Sequence, residues 1–207
     1  MQVAAGGLGK VAYVLCNPTY IAGSSDKDFI GTYEYNPEKA KELLADAGYA
    51  NGLTIPNVFM YGGSYDNPAV AQMLQAMWEA VGIKVTLEQA ESATASTKSK
   101  EGYQDVYITN SNYIHHMANL KRAIHSSTIK TQVAKYNSPE LDEYLDKGEA
   151  ALTDAERDEW YMKANKFMDD FAVNIPLYYQ HKAFAWDPAL DAKPGCYYQY
   201  IQYWNWT

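Results

Sequence analysis

Apolar residues recur at helical spacing over several stretches of the chain. Ala40, Leu43, Leu44 and Ala47 follow one another at i, i+3, i+4 and i+7. Asn36 before them can accept from an orphan amide of the first turn, Pro37 suits the first helical position, and Gly48 suits the left-handed cap. The pattern predicts a helix from Asn36 to Gly48 with Leu43 and Leu44 buried against a sheet. Val70, Met73, Leu74, Met77, Trp78 and Val81 repeat the design after Asn67-Pro68, ending at Gly82. The methionines of that stripe read as core filler. Ser138-Pro139-Glu140 opens a third helix through Leu141, Tyr144, Leu145 and Leu152. Thr153-Asp154-Ala155-Glu156 is a capping box. The helix it opens is expected to carry Trp160, Ala164, Phe167, Met168 and Phe171 inward.

Between these helices the period changes to two. Ile83, Val85 and Leu87 alternate with Lys84, Thr86 and Glu88, which predicts a strand with one buried face. Leu53 to Tyr61 reads as a strand, with Pro56 placing its start at an edge or an irregularity. Asp105 to Thr109 reads as another, with Val106 and Ile108 on one face and Tyr107 on the other. Shorter strands are expected at Val11 to Leu15, Ile175 to Tyr179 and Ala183 to Trp186. Strand, helix and strand in this order make a βαβ unit with parallel strands, so the class is α/β with a mixed sheet flanked by helices. Glu91 to Gly102 is polar and reads as a loop or a weak helix, and residues 110–135 have no clear period. Gly6-Gly7-Leu8-Gly9-Lys10 lacks the spacing of a phosphate loop.

Composition narrows the classes. The 207 residues suffice for one sizeable core or two small ones. A net charge of -8, with no clustered Lys and Arg, excludes the basic stripe that nucleic acid requires. No apolar run approaches the roughly 20 residues that span a bilayer, and Met1-Gln2-Val3 does not begin a signal peptide. The 19 tyrosines offer flat faces with polar tips, suited either to gripping ligands or to half-buried strand positions. Cys16 and Cys196 either pair or remain thiols.

The order of several segments carries a resemblance. Asn36-Pro37-Glu38-Lys39-Ala40-Lys41-Glu42-Leu43-Leu44 comes first, then Ala71-Gln72-Met73-Leu74 through Val81-Gly82-Ile83-Lys84-Val85-Thr86-Leu87. Gly102-Tyr103-Gln104-Asp105 and Tyr136-Asn137-Ser138-Pro139-Glu140-Leu141-Asp142 follow, and Glu156-Arg157 through Ile175-Pro176-Leu177-Tyr178-Tyr179 comes last. Together they resemble the second lobe of family 5 of the extracellular solute-binding proteins, the receptors of ABC importers. The resemblance implies a single lobe of a periplasmic-binding-protein-like receptor (type II, cluster C). Residues 1–34 would lead in from a hinge, 35–186 form the α/β body, and 187–207 return toward the hinge as an aromatic segment. It also implies an excised part of a longer exported protein, whose cleft lies between this lobe and a larger first lobe. The implied partners are a peptide or other small solute, the permease subunits of the importer and the first lobe. A membrane would be met only through a lipid anchor.

In peptide-binding relatives an Asp following the strand that matches Asp105–Thr109 pairs with the peptide ammonium. Here that stretch is Thr109-Asn110-Ser111-Asn112-Tyr113-Ile114-His115-His116-Met117, which contains no carboxylate. Tyr107, Asn110, Asn112, Tyr113, His115 and His116 are the residues expected to form a ligand-facing wall, their amides and rings offering donors, acceptors and stacking surfaces. The competing reading is that the Asn and Ser residues only shape turns. Neighbouring histidines rarely hold one ion unaided, so no metal site is assigned, with His116 the residue to watch for contact with a metal chelate. No cofactor is implied. Neither a Gly-x-Ser-x-Gly elbow nor His-Glu-x-x-His occurs, and Asp142, Glu143, Asp169 and Asp170 read as solvated helix faces. The expectation is a receptor, not an enzyme. A secreted hydrolase using the His-containing segment and an interaction module docking through the aromatic tail are the alternatives.

Overall fold

The computed structural model describes residues 9–15, 29, 32–61, 67–101, 105–108, 121, 124–128, 137–180, 186–191 and 205–206. Its centre is a parallel sheet of β2 (Leu53–Tyr61), β3 (Ile83–Ala90) and β4 (Val106–Ile108), with β2 in the middle. The β2–β3 register shifts between Ile55 and Val58. Pro56 explains the shift, because it has no N–H for the ladder. Asn57 is caught instead by the residue just before β4: its amide donates to the Asp105 carboxylate at 3.2 Å, and its carbonyl accepts from the Asp105 amide at 2.9 Å.

Alternation assigns the two faces of this sheet. Val58, Met60, Val85 and Ile108 pack with Val70 and Ala71 of α2 (Asn67–Ala80) into one core. Phe59 points the other way and is fully buried. On that side lies α3 (Ser92–Glu101), whose Lys98 reaches over the Phe59 ring at 5.9 Å and pairs with Glu88 of β3. The polar stretch after β3 is thus a helix, as its composition allowed.

A second core belongs to the hairpin of α4 (Pro139–Ala150) and α5 (Asp154–Asp170). Ile124, Leu141, Leu145, Tyr161, Ala164, Phe167 and Met168 form it. Ser138 and Thr153 cap the two helices as expected, accepting from Leu141 and Glu156. Two expected core residues are not in it. Phe171 is 63% exposed, and Trp160 lies over the hairpin surface, with Lys147 and Lys163 at 4.3 and 4.0 Å from its ring and Tyr144 stacked at 6.2 Å. An indole flanked by cations keeps its N–H hydrated and gains cation–π attraction, which full burial would forfeit. Ala164, Phe167 and Met168 are buried as expected, and Tyr161 and Asn165 join them.

Between the cores runs an antiparallel ribbon of β1 (Gly9–Val11) and β5 (Tyr178–Gln180). Both strands are shorter and later or earlier than the apolar runs suggested. Pro176 cannot donate to the ladder, so pairing begins at Tyr178, and Ala12 closes the ribbon by donating to Leu177 O at 3.3 Å. Tyr178 packs on the sheet core, while Leu15 and Val173 pack on the helical core. A last small ribbon joins β6 (Leu190–Asp191) to β7 (Asn205–Trp206). Trp186 is outside any strand and 44% exposed; the rest of the strand expected from Ala183 lies outside the described residues.

Helix α1 (Pro37–Asp46) has the predicted cap, Asn36 accepting from the Lys39 amide at 2.9 Å. It does not bury Leu43 and Leu44 against the sheet: no α1 residue is buried and Leu43 is 56% exposed. Its cap and the surface pairs Lys39–Glu42 and Lys41–Glu38, each at 3.0 Å, support it locally. Periodicity identified its apolar face without identifying anything packed against it.

Candidate functional site

In open α/β sheets ligands meet the carboxyl ends of the strands, where successive connections depart to opposite faces. Here β2 and β3 end level, Tyr61 opposite Ala90, and Met60 of β2 faces Ile108 at the end of β4. From this edge the chain leaves β2 for α2 on one face and β3 for α3 on the other. Residues 109–117 follow β4 in the chain and lie outside the described residues.

Tyr107 stands opposite Phe59 in the ladder, and the two rings stack with centroids 5.7 Å apart and planes 21° apart. Asn110, Asn112, Tyr113, His115 and His116 lie outside the described residues, as do Cys16 and Cys196. The structure therefore fixes where their segment begins and not how their side chains converge.

The far end of that segment is held by residues whose part the sequence did not disclose. Ile124 is buried in the helical core, and His125 beside it is 8% exposed. The carboxylate of Asp142 on α4 accepts from the Ser126 amide at 2.9 Å and from the Ser126 hydroxyl. His125 Nδ1 accepts from the Ser127 amide at 3.0 Å, and the Ser127 hydroxyl lies 2.7 Å from the same nitrogen. A nitrogen that accepts carries no proton, so the neutral ring bears its proton on Nε2, which faces Asp146 at 3.3 Å and Asp142 at 3.7 Å. Both contacts to Nδ1 come from one residue two positions along, and its backbone amide takes the lone pair. The arrangement caps the 3-10 turn Ser126–Thr128. Asp142 is thus no solvated surface carboxylate: its side chain is 15% exposed and ties the turn to α4. Glu143 and Asp170, by contrast, are exposed surface carboxylates, paired with Lys147 and Lys166.

Beside this turn Lys121 bridges Asp146 at 2.5 Å and Glu149 at 2.6 Å. Hydrogen bonding to Asp146, then to Glu149, raises the Lys121 ammonium above its ordinary value, and the bond from Lys121 lowers the Asp146 carboxyl. The lowered carboxyl contributes stability above the usual Asp range that is lost as pH falls through its folded value. The raised ammonium contributes stability below the usual Lys range that is lost as pH rises through its own. Asp146 is 55% exposed, so screening holds the contribution to about 0.2–1 kcal/mol. Asp146→Asn should lower the melting temperature slightly at pH 7, and the gap to the parent should close as melts are repeated toward pH 3.

Among the described residues no group of three His, Cys, Asp or Glu is arranged to hold a metal ion, and no helix is long and apolar enough to cross a membrane.

Comparison with known proteins gives a consistent outcome. The profile of the bacterial extracellular solute-binding proteins, family 5 Middle, matches residues 1–156. Heme-binding protein A of Haemophilus influenzae is 30% identical over 162 residues, which cover 74% of this chain and 29% of that protein. The periplasmic oligopeptide-binding protein OppA of Salmonella typhimurium is 28% identical over 69% of this chain and 26% of its own. Among solved structures, the periplasmic binding protein DppA of Helicobacter pylori in complex with the peptide STSA superposes with a TM-score of 0.73. It is 28% identical and covers 84% of this chain and 34% of its own. The oligopeptide-binding protein AppA of Bacillus subtilis, in complex with a nonapeptide, covers the whole chain with a TM-score of 0.79 at 18% identity, and the match spans 44% of it. The chain therefore spans less than half the length of each.

Proposed function

The chain belongs to family 5 of the bacterial extracellular solute-binding proteins, and on that premise we propose that it is the ligand-binding second lobe of an ABC-importer receptor. Residues 1–34 lead in from the hinge, 35–186 form the lobe and 187–207 return toward a first lobe. The ligand is an oligopeptide or a related small solute. It is captured by hinge closure between the two lobes, and the closed form is what the permease subunits recognise outside the cytoplasm. A lipid anchor would hold the receptor at the membrane. Binding, without catalysis, is the activity.

The observation that supports this reading is the common edge at which β2, β3 and β4 end, because an α/β sheet meets its ligand at such an edge and residues 109–117 follow β4 in the chain. Tyr107, Asn110, Asn112, Tyr113, His115 and His116 form the wall contributed by this lobe. With no carboxylate between Thr109 and Met117, a peptide ammonium would find its counter-charge elsewhere. Amide, imidazole and ring groups would instead hold the ligand backbone and side chains.

One lobe supplies half of a cleft. Titration calorimetry of the 207-residue chain with peptides of three to nine residues should give no saturable heat at micromolar concentrations. A micromolar dissociation constant for the isolated chain would sink the half-site reading. In a receptor that includes a first lobe, saturable peptide binding should return, and His116→Ala or Asn112→Ala should weaken it. A receptor indifferent to both changes would move the site away from residues 109–117.

A further inference from the structure

His125 is the one imidazole among the described residues, and its ring is built into a turn. It is 8% exposed, and its neighbour Ile124 belongs to the helical core. The two ring nitrogens have different surroundings. Nδ1 accepts from the Ser127 amide at 3.0 Å, with the Ser127 hydroxyl at 2.7 Å. Nε2 faces Asp146 at 3.3 Å and Asp142 at 3.7 Å, both on α4. One cation stands beside them: Lys121, whose carbonyl accepts from the His125 amide at 2.9 Å and whose ammonium is shared by Asp146 and Glu149.

Imidazole is the side chain whose charge ordinarily changes between about pH 5 and 8. With one proton already on Nε2, a second can go only to Nδ1. That proton and the Ser127 amide proton would point at each other, so the bond from Ser127 to the ring cannot survive protonation. The cation still finds partners. Two carboxylates face Nε2, and the Ser127 hydroxyl can rotate to accept from Nδ1. Lys121 competes with the imidazolium for Asp146. A single proton therefore exchanges the cap of a turn for a charge pair with α4.

We propose that His125 is a proton-operated latch on the Ser126–Thr128 turn. The neutral ring holds Ser127 and closes the turn. The imidazolium releases the Ser127 amide and is drawn to Asp142 and Asp146 instead. The segment that leaves β4 ends at this turn, so the latch sets how firmly its far end is held. That role belongs to the turn itself and does not depend on what binds at residues 109–117.

Two neighbouring amides supply the test. Ser127 bonds to the ring, whereas Thr128 donates to the His125 carbonyl at 3.0 Å and serves as the internal control. Hydrogen exchange of the 207-residue chain is expressed as protection relative to a free peptide at the same pH. Ser127 should lose about tenfold between pH 8 and pH 5, the size of one ordinary hydrogen bond. Thr128 should keep its protection, and the ring nitrogen shifts should report the second proton over the same interval. His125→Asn separates the ring from the carboxylates. Its side-chain carbonyl can cap the amide two residues on but gains no proton, so Ser127 should be equally protected at both pH values. A parent whose Ser127 protection is the same at pH 5 and pH 8, or whose loss is shared by Thr128, overturns the latch. So does a His125→Asn chain in which Ser127 still loses protection, because the proton would then act on Asp142 or Asp146. A ring that keeps a single proton at pH 5 overturns it whatever the variant does.

Discussion

Gly148→Ala should destabilise the chain by about 1–3 kcal/mol, although alanine is the better helix former by about 1 kcal/mol. Gly148 lies within α4 and is buried against α5. A Cβ placed there would sit 2.2 Å from Cε1 and 2.4 Å from Cδ1 of Tyr161. Tyr161 is fully buried at the centre of the helical core, so its ring cannot swing away as a surface side chain would. Either the ring leaves its rotamer or the two helices move apart, and both disturb the packing of Leu145 and Ala164 around it. Thermal melts should register a loss on the order of 5–10 °C. Combining Gly148→Ala with Tyr161→Leu checks the cause. If the clash is the mechanism, the double variant loses much less than the sum of the two single changes; strict additivity would place the damage elsewhere.

That contact shows what kind of information the sequence withheld. Helix and strand positions were legible because period and caps are local: Asn36, Ser138 and Thr153 each cap the helix assigned to them. The boundaries of β2 and its irregularity were legible because proline's missing donor has one consequence in a ladder. Inward direction was not. Trp160 and Tyr161 are adjacent, both aromatic and both compatible with a helical stripe. What separates them is Gly148 opposite one and a pair of lysines beside the other, and both facts depend on how two helices meet. The same limit applies to α1, whose apolar face is plain in the sequence and exposed in the fold.

The candidate site divides along the same line. Its starting point, β4, was legible from the alternation of Val106, Tyr107 and Ile108, and the stack of Tyr107 on Phe59 follows from a register that no single strand encodes. Its far anchor was not legible, because Asp142 has the look of any carboxylate in the first turn of a helix. In the fold it meets a turn sixteen residues earlier.

Asp142→Ala should therefore cost far more than a surface carboxylate does. The Ser126 amide loses its 2.9 Å acceptor and the Ser126 hydroxyl loses its partner. Each group stranded in a largely buried site costs about 1–3 kcal/mol, whereas removing an exposed pair such as Lys163–Glu159 costs little because solvent screens it. Hydrogen exchange localises the effect. Amides of Ser126 and Thr128 should exchange much faster in Asp142→Ala, while those of β2 and β3 keep their protection, because the sheet core does not contain Asp142. Asp142→Asn retains one acceptor oxygen for the Ser126 amide and should recover part of the loss. Because residues 109–123 run from β4 to this turn, releasing the turn frees one end of the segment proposed to face the ligand. In a receptor with both lobes, Asp142→Ala should then weaken solute capture without touching the solute. Unchanged exchange at Ser126 would refute the anchoring role of Asp142. Accelerated exchange with unchanged affinity would separate the anchor from the binding wall.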